Sequence, residues 1–189
     1  MMKPKSKNYL IIGASTGIGR SIVVQLARKT QSPIGIAVAS RKIDELEELK
    51  KDVEEKYPNV KVFVRKFDIT HINDAESLID DANRSLGPID TIVVNAGISD
   101  IHKLGDEDYF KKAKAILDTN LMGPVSCISA FVKYAKKMGI INPYIVTVSS
   151  IASSRVFYIY LGITKSDCIW NFQERIRFLH RRCAQRVVS

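Results

Sequence analysis

The stretch Tyr9-Leu10-Ile11-Ile12-Gly13-Ala14-Ser15-Thr16-Gly17-Ile18-Gly19 decides the fold. Four apolar residues stop at a glycine, two more glycines follow in a G-x3-G-x-G spacing, and the period then changes. Ile18, Ile22 and Leu26, with Val23 and Ala27 beside them, form one stripe of a helix. A strand ending in a glycine turn that opens a helix gathers backbone N–H groups at the positive end of the helix dipole, where an anion can sit. Gly13, Gly17 and Gly19 permit the sharp turn and let a diphosphate approach the main chain. Ser15, Thr16 and Ile18 of the same turn are candidate contacts. No Lys-Ser/Thr pair follows the glycines, which excludes a Walker phosphate loop. A glycine turn alone is compatible with simple packing; its place between strand and helix selects nucleotide binding.

Outward from this stretch the same alternation continues. Ile34–Ala39 reads as a second strand, and Ile43, Leu46, Leu49, Val53 and Tyr57 recur at helical spacing, with Glu47–Lys51 and Asp52–Lys56 expected as ion pairs on the wet face. Val60–Phe67 is a third strand and Ile72–Leu86 a third helix, with Ala75, Leu78, Ile79 and Ala82 as its stripe. Gly87-Pro88 punctuates before a fourth strand, Ile89–Val94. A long helical stretch runs from about Asp106 to Met138, where Gly123-Pro124 predicts a kink or break near Asn120. Tyr144–Val148 is a fifth strand, and a final helix is expected after about Thr164. Strands alternating with helices make βαβ crossovers, hence an α/β fold with a parallel sheet covered on both faces. Every strand reads as nearly continuous Val, Ile and Leu, as burial on both sides requires. Ligands of such sheets sit beyond the C-terminal strand ends.

Composition narrows the class. With 189 residues, 46% hydrophobic and 26% charged, the chain suits one domain, residues 1–189, and excludes collagen-like, disulfide-rich and disordered classes. No apolar run approaches the ~20 residues needed to span a bilayer, and Tyr9–Ile12 is too short for a signal segment. Cys127, Cys168 and Cys183 are odd in number and far apart, so buried thiols in a cytoplasmic protein are expected, with no metal site. Of the net charge of +9, residues 174–189 carry +4 through five arginines and one glutamate. Such a tail can attract nucleic acid or an anionic membrane, yet no aromatic interleaving supports either, and a solvated helix end explains it.

The end of strand two reads Ala39-Ser40-Arg41-Lys42, with no acid before Asp44. A site for NAD places a carboxylate there to hold the ribose hydroxyls, whereas a guanidinium grips a 2′-phosphate with paired hydrogen bonds. Arg41 therefore points to NADP, with NAD and a mere strand-end arginine as the alternatives.

Taken in series, Gly13–Gly19, Asp68-Ile69-Thr70 after strand three, Asn95-Ala96-Gly97 after strand four, Asn120, and Ser149-Ser150 after strand five resemble the short-chain dehydrogenases/reductases over residues 8–165. The resemblance implies a Rossmann-type doubly wound sheet, here of about five strands in the order 3-2-1-4-5. It implies hydride transfer between a nicotinamide cofactor and a small carbonyl or alcohol. Asp68 and Ile69 would border the adenine, and Asn95, Ala96 and Gly97 the floor of the cofactor site. Asn120 would hold a proton-relay water, Ser150 (or Ser149) orient the substrate oxygen, and Lys165 hold the nicotinamide ribose and lower the pKa of a tyrosine acid/base.

That tyrosine is displaced. Leu161 stands four residues before Lys165, and Tyr160 five before it. On a helix, four residues separate two side chains by about 40° and five by about 140°. Tyr160 serves if it precedes the first helical turn or if Gly162 loops out; otherwise it is a packing aromatic. Ile12 and Val94 stand where the family usually has Thr and Asn. The resemblance also implies two further strands that nothing after Lys165 supplies, so residues 166–189 read as an atypical basic helix and tail of a C-terminally truncated member. Relatives pair through their fourth and fifth helices, which leaves a homo-oligomer open. Two readings result: an NADP-dependent oxidoreductase, or a catalytically impaired relative that binds nucleotide or a protein partner.

Overall fold

The strand Asn8–Ile12 (β1) lies at the centre of a parallel sheet. In the computed structural model, which describes residues 7–99 and 105–150, it pairs on one side with Ile34–Ser40 (β2) and on the other with Thr91–Val94 (β4). Val60–Lys66 (β3) flanks β2 and Tyr144–Thr147 (β5) flanks β4, giving the order β3-β2-β1-β4-β5, as expected. The register sets Ile11 between Val38 and Val93.

Side chains alternate across this sheet, so one run of apolar residues feeds two cores. Leu10 and Ile12, with Ala37, Ala39, Ile92 and Val94, pack beneath Ala75–Leu86 (α3) and Gly123–Lys137 (α5). Ile11, with Ile36, Val38 and Val93, packs beneath Gly17–Lys29 (α1) and Ile43–Lys56 (α2). Helix α1 buries Gly19, Val23 and Ala27, and α2 buries Leu46, Leu49 and Val53. The ion pairs expected along α2 are corrected at Asp52. Its carboxylate takes Arg20 of α1 at 3.0 Å, because the two helices lie side by side on the same face.

Strand β4 starts two residues later than its apolar run suggests. The Ile89 N–H is taken by the Tyr134 hydroxyl at 3.0 Å, and the Asp90 N–H by the Asn8 carbonyl at 2.9 Å. Asn8 itself is buried and fully used: Oδ1 accepts the Gly35 N–H, and Nδ2 donates to the Leu86 and Pro88 carbonyls. This polar knot ties β1 and β2 to the turn before β4 at the end of the sheet remote from the glycine turn.

The long helical stretch is continuous but changes pitch. Helix Tyr109–Leu117 (α4) passes through a π-helical turn, Asp118–Met122, into α5. Pro124 lacks the N–H that would reach the Asn120 carbonyl and its ring would collide with that carbonyl; the wider π turn relieves both. Gly123 closes the turn against Ile69, where a Cβ would come within 2.6 Å of the Ile69 carbonyl oxygen. The combined run Tyr109–Lys137 is long and apolar enough, by length and composition, to cross a membrane, which the sequence reading did not anticipate. Of this run, Cys127, Ala130, Phe131 and Tyr134 are buried against the sheet. Burial pushes the Cys127 thiol up to about 12, so it is a neutral core thiol; Cys168 and Cys183 lie outside the described residues.

Strand β5 departs from the expectation of burial on both sides. Among the described residues it is the outer strand, and Tyr144 and Val146 are 61% and 44% exposed. They belong to the face that carries α1 and α2, whereas Ile145 points into the opposite core.

Candidate functional site

The C-terminal ends of the five parallel strands bring the singled-out residues to one edge of the sheet. At the end of β1, Gly13 adopts φ +84°, and a Cβ there would lie 2.6 Å from the Ala96 nitrogen. The Gly13 N–H donates to the Ala39 carbonyl at 2.7 Å, and its carbonyl accepts Asn95 Nδ2 at 2.8 Å. Asn95 and Ala96 both donate their N–H groups to the Ile12 carbonyl, at 2.9 and 3.0 Å. The glycine turn and the loop after β4 are thereby locked together. Gly19 seals the joint, since its Cβ would meet the Gly13 carbonyl oxygen at 2.1 Å.

Gly17 is different. It has φ +56°, and nothing lies within 4 Å of where its Cβ would be. Thr16 caps α1 in extended backbone without a side-chain hydrogen bond to the helix, and Thr16, Gly17 and Ile18 are exposed. The positive end of α1 therefore faces open space lined by backbone, a shape that suits a diphosphate. An open groove of about 580 Å³ continues from Gly17 and Ile18 along the outer flank of α1, away from the strand ends.

At the end of β2, the Ser40 carbonyl accepts the Phe67 N–H at 2.9 Å, which holds the loops after β2 and β3 together. Arg41 is exposed and makes no hydrogen bond or ion pair with the other described residues. Burial raises the pKa of the neighbouring Asp68, but this is outweighed by the Thr70 N–H and hydroxyl, 3.0 and 2.8 Å from Oδ1, and by the charges of Arg41 and His71. The carboxyl thus titrates below its ordinary value. Ile69 is buried against the first turn of α5.

Asn120 stands in the π turn, and both ends of its amide hold one residue of the loop after β4. Oδ1 accepts the Ile98 N–H and Nδ2 donates to the Ile98 carbonyl, each at 2.8 Å. Gly97 passes beneath, where a Cβ would lie 3.4 Å from Asn120 Oδ1. Asn120, expected to hold a proton-relay water, also braces this loop, using one acceptor position of Oδ1 and one N–H of Nδ2. Sequence spacing located Asn120, but nothing local to it signalled a partner 22 residues away. At the end of β5, the Val148 N–H donates to the Val94 carbonyl at 3.0 Å, carrying the exposed Ser149 and Ser150 alongside the same edge.

This arrangement has a counterpart. A model of the short chain dehydrogenase family matches residues 7–161. The chain belongs to the short-chain dehydrogenase family. It is 29% identical to the farnesol dehydrogenase of Aedes aegypti, over 80% of this chain and 60% of that protein. To the NADP-dependent 3-hydroxy acid dehydrogenase of Schizosaccharomyces pombe it is 28% identical, over 74% of this chain and 53% of that one. Among solved structures, the alcohol dehydrogenase of the archaeon Thermococcus sibiricus complexed with 5-hydroxy-NADP superposes with a TM-score of 0.68 at 27% identity. That match covers 80% of this chain and 61% of the archaeal one. The chain thus spans about half to two thirds of the length of these relatives.

Seen as a short-chain dehydrogenase, the molecule brings Gly13–Gly19, Arg41, Asp68-Ile69, Asn95-Ala96-Gly97, Asn120 and Ser150 to one rim of one sheet. Tyr160 and Lys165 lie outside the described residues. Two of the departures from the family pattern, Ile12 and Val94, are both buried in the core under α3 and α5, so packing stands where Thr and Asn would supply hydrogen bonds. Among the described residues no three His, Cys, Asp or Glu side chains gather as a metal site.

Proposed function

We propose that this short-chain dehydrogenase binds NADP(H) and serves hydride transfer between the cofactor and a small carbonyl or secondary alcohol. The observation that carries the reading is the end of α1, without a side-chain cap, behind open Gly17, with Arg41, which makes no ion pair with the other described residues, rather than a carboxylate at the end of β2. In this reading the Gly13–Gly19 turn holds the diphosphate, Arg41 the 2′-phosphate, and Asp68 and Ile69 border the adenine. Asn95, Ala96 and Gly97 floor the site toward the nicotinamide. When bound, the cofactor supplies or accepts the hydride; the chain's own residues orient the partners and handle the proton. Ser150 orients the substrate oxygen, Tyr160 exchanges the proton with it, and Lys165 favours the phenolate by its charge while holding the ribose. Asn120 holds a water that relays the proton, and it braces the loop after β4 as well.

Calorimetric titration of the 189-residue chain with NADPH and NADH tests the cofactor half. Tighter NADPH binding that falls at least tenfold in Arg41→Gln is expected; equal affinity for both nucleotides removes the assignment. A second reading, a nucleotide-binding relative without turnover, is favoured by Leu161 standing where the family pattern needs the tyrosine. NADPH consumption with a panel of aldehydes and ketones, lost in Tyr160→Phe, selects the enzyme. Thermal stabilisation by NADPH without consumption selects the binding protein.

A further inference from the structure

The loop joining β2 to α2 holds two cations, and the structure treats them differently. Ser40 Oγ accepts the Lys42 N–H at 3.1 Å and donates to the Lys42 carbonyl at 3.3 Å, folding the main chain tightly around Arg41. The carbonyls of Ala39 and Ser40 are held by Gly13 and Phe67, so this fold is pinned to the ends of β1 and β3. From that fixed base Arg41 projects without an ion pair to any other described residue. Lys42, its neighbour in sequence, turns to Glu45 in the first turn of α2, Nζ to Oε1 2.7 Å. The other carboxylate oxygen, Oε2, is buried and has no hydrogen-bond partner among the described residues. Among the described residues Lys42 is thus the cation that neutralises a partly buried carboxylate.

Resting on the NADP reading, we infer that Glu45 sets how tightly the 2′-phosphate is recognised, by withholding Lys42 from it. A phosphate beside Arg41 carries close to two negative charges, more than one guanidinium neutralises. The loop places a second cation one residue away and then cancels it with a carboxylate of the same helix turn. Glu45 acts in two ways: it holds the Lys42 ammonium against α2, and it leaves that pair with no net charge toward the cofactor. It is a positioning residue, and the specificity it governs is that for the phosphorylated over the unphosphorylated nucleotide.

Calorimetry on the 189-residue chain with NADPH and NADH supplies the test. Glu45→Gln is expected to tighten NADPH at least threefold and to leave NADH within twofold. Lys42→Gln alone should weaken NADPH by no more than about threefold, since it leaves the Glu45 carboxylate uncancelled but removes no cation that holds the phosphate, and in the double variant, with the pair's net charge restored to zero, the gain should vanish. Glu45→Ala, which leaves no polar atom in the buried Oε2 position, repeats the test if the glutamine variant is poorly folded. The inference is overturned if neither Glu45 variant tightens NADPH, or if the gain survives the loss of Lys42. It is also overturned if Lys42→Gln costs as much as Arg41→Gln. Failure of the NADP reading looks different: the parent chain then binds both nucleotides equally and Arg41→Gln changes neither.

Discussion

Gly13 and Gly17 both adopt left-handed backbone, for different reasons. At Gly13 a side chain would collide with the Ala96 backbone, which cannot retreat because its N–H is held by Ile12. At Gly17 there is room, and only the backbone conformation opposes a side chain. Gly13→Ala is therefore expected to cost about 3 kcal/mol or more in urea denaturation, combining strain and overpacking. Gly17→Ala should cost about 1 kcal/mol. In return its methyl would stand in the space assigned to the diphosphate, so NADPH affinity should fall more than stability does. Asp68 makes a prediction in pH. Its carboxyl titrates below the ordinary value of about 3.9, so the ionised form is the one the fold favours. Its contribution is present above that value and is lost as pH falls through the lower, folded-state value. Asp68→Asn should flatten this part of the Tm-against-pH profile; an unchanged profile would mean that the Thr70 hydrogen bonds do not select the charged form.

At the scale of the element, the π turn Asp118–Met122 is where helix chemistry meets the site. Pro124 and Gly123 explain why the turn exists, and Asn120 explains what it does: its amide grips both polar groups of Ile98. Asn120→Ala leaves that N–H and carbonyl without these partners, a loss of about 2 kcal/mol for two hydrogen bonds. Asn120→Asp keeps an acceptor for the N–H but turns a carboxylate oxygen toward the carbonyl, and should be no better. Hydrogen exchange at the Ile98 amide, measured in the parent and both variants, checks this directly: protection should drop in each. Full protection in Asn120→Ala would show that other contacts hold the loop. That the helix would be disturbed near Asn120 was legible in the sequence from Gly123-Pro124; that it would continue through a π turn was not, because pitch depends on what Ile69 and the Ile98 loop allow.

Across the whole molecule, the sheet is protected unevenly. Among the described residues, strands β1, β2 and β4 are covered on both faces, while β5, the outer strand there, exposes Tyr144 and Val146. Exposed apolar side chains clustered on a sheet face favour association. Val146→Thr, which keeps β-branching, should change stability by less than about 0.5 kcal/mol, as exposed substitutions do. It should also reduce the concentration-dependent light scattering of the chain. Scattering equal to that of the parent would show that this face is not what associates.

The parallel α/β architecture and the glycine turn were legible in the amino-acid sequence because both are written locally. Burial on two faces demands unbroken apolar strands, and a left-handed turn against a neighbouring backbone demands glycine. Arg41 was singled out by its place just past a strand end, and Asp68 and Asn95 by their order in the family's run of motifs. Which partner each polar side chain takes was decided only in three dimensions. Asn8 secures a turn some 80 residues away, Asn120 holds Ile98, Asp52 leaves its own helix for Arg20, and Lys42 is claimed by Glu45 while Arg41 is not. Periodicity reports which face of an element is buried, but a hydrogen bond or ion pair depends on distances between elements, and those are set only when the layers pack.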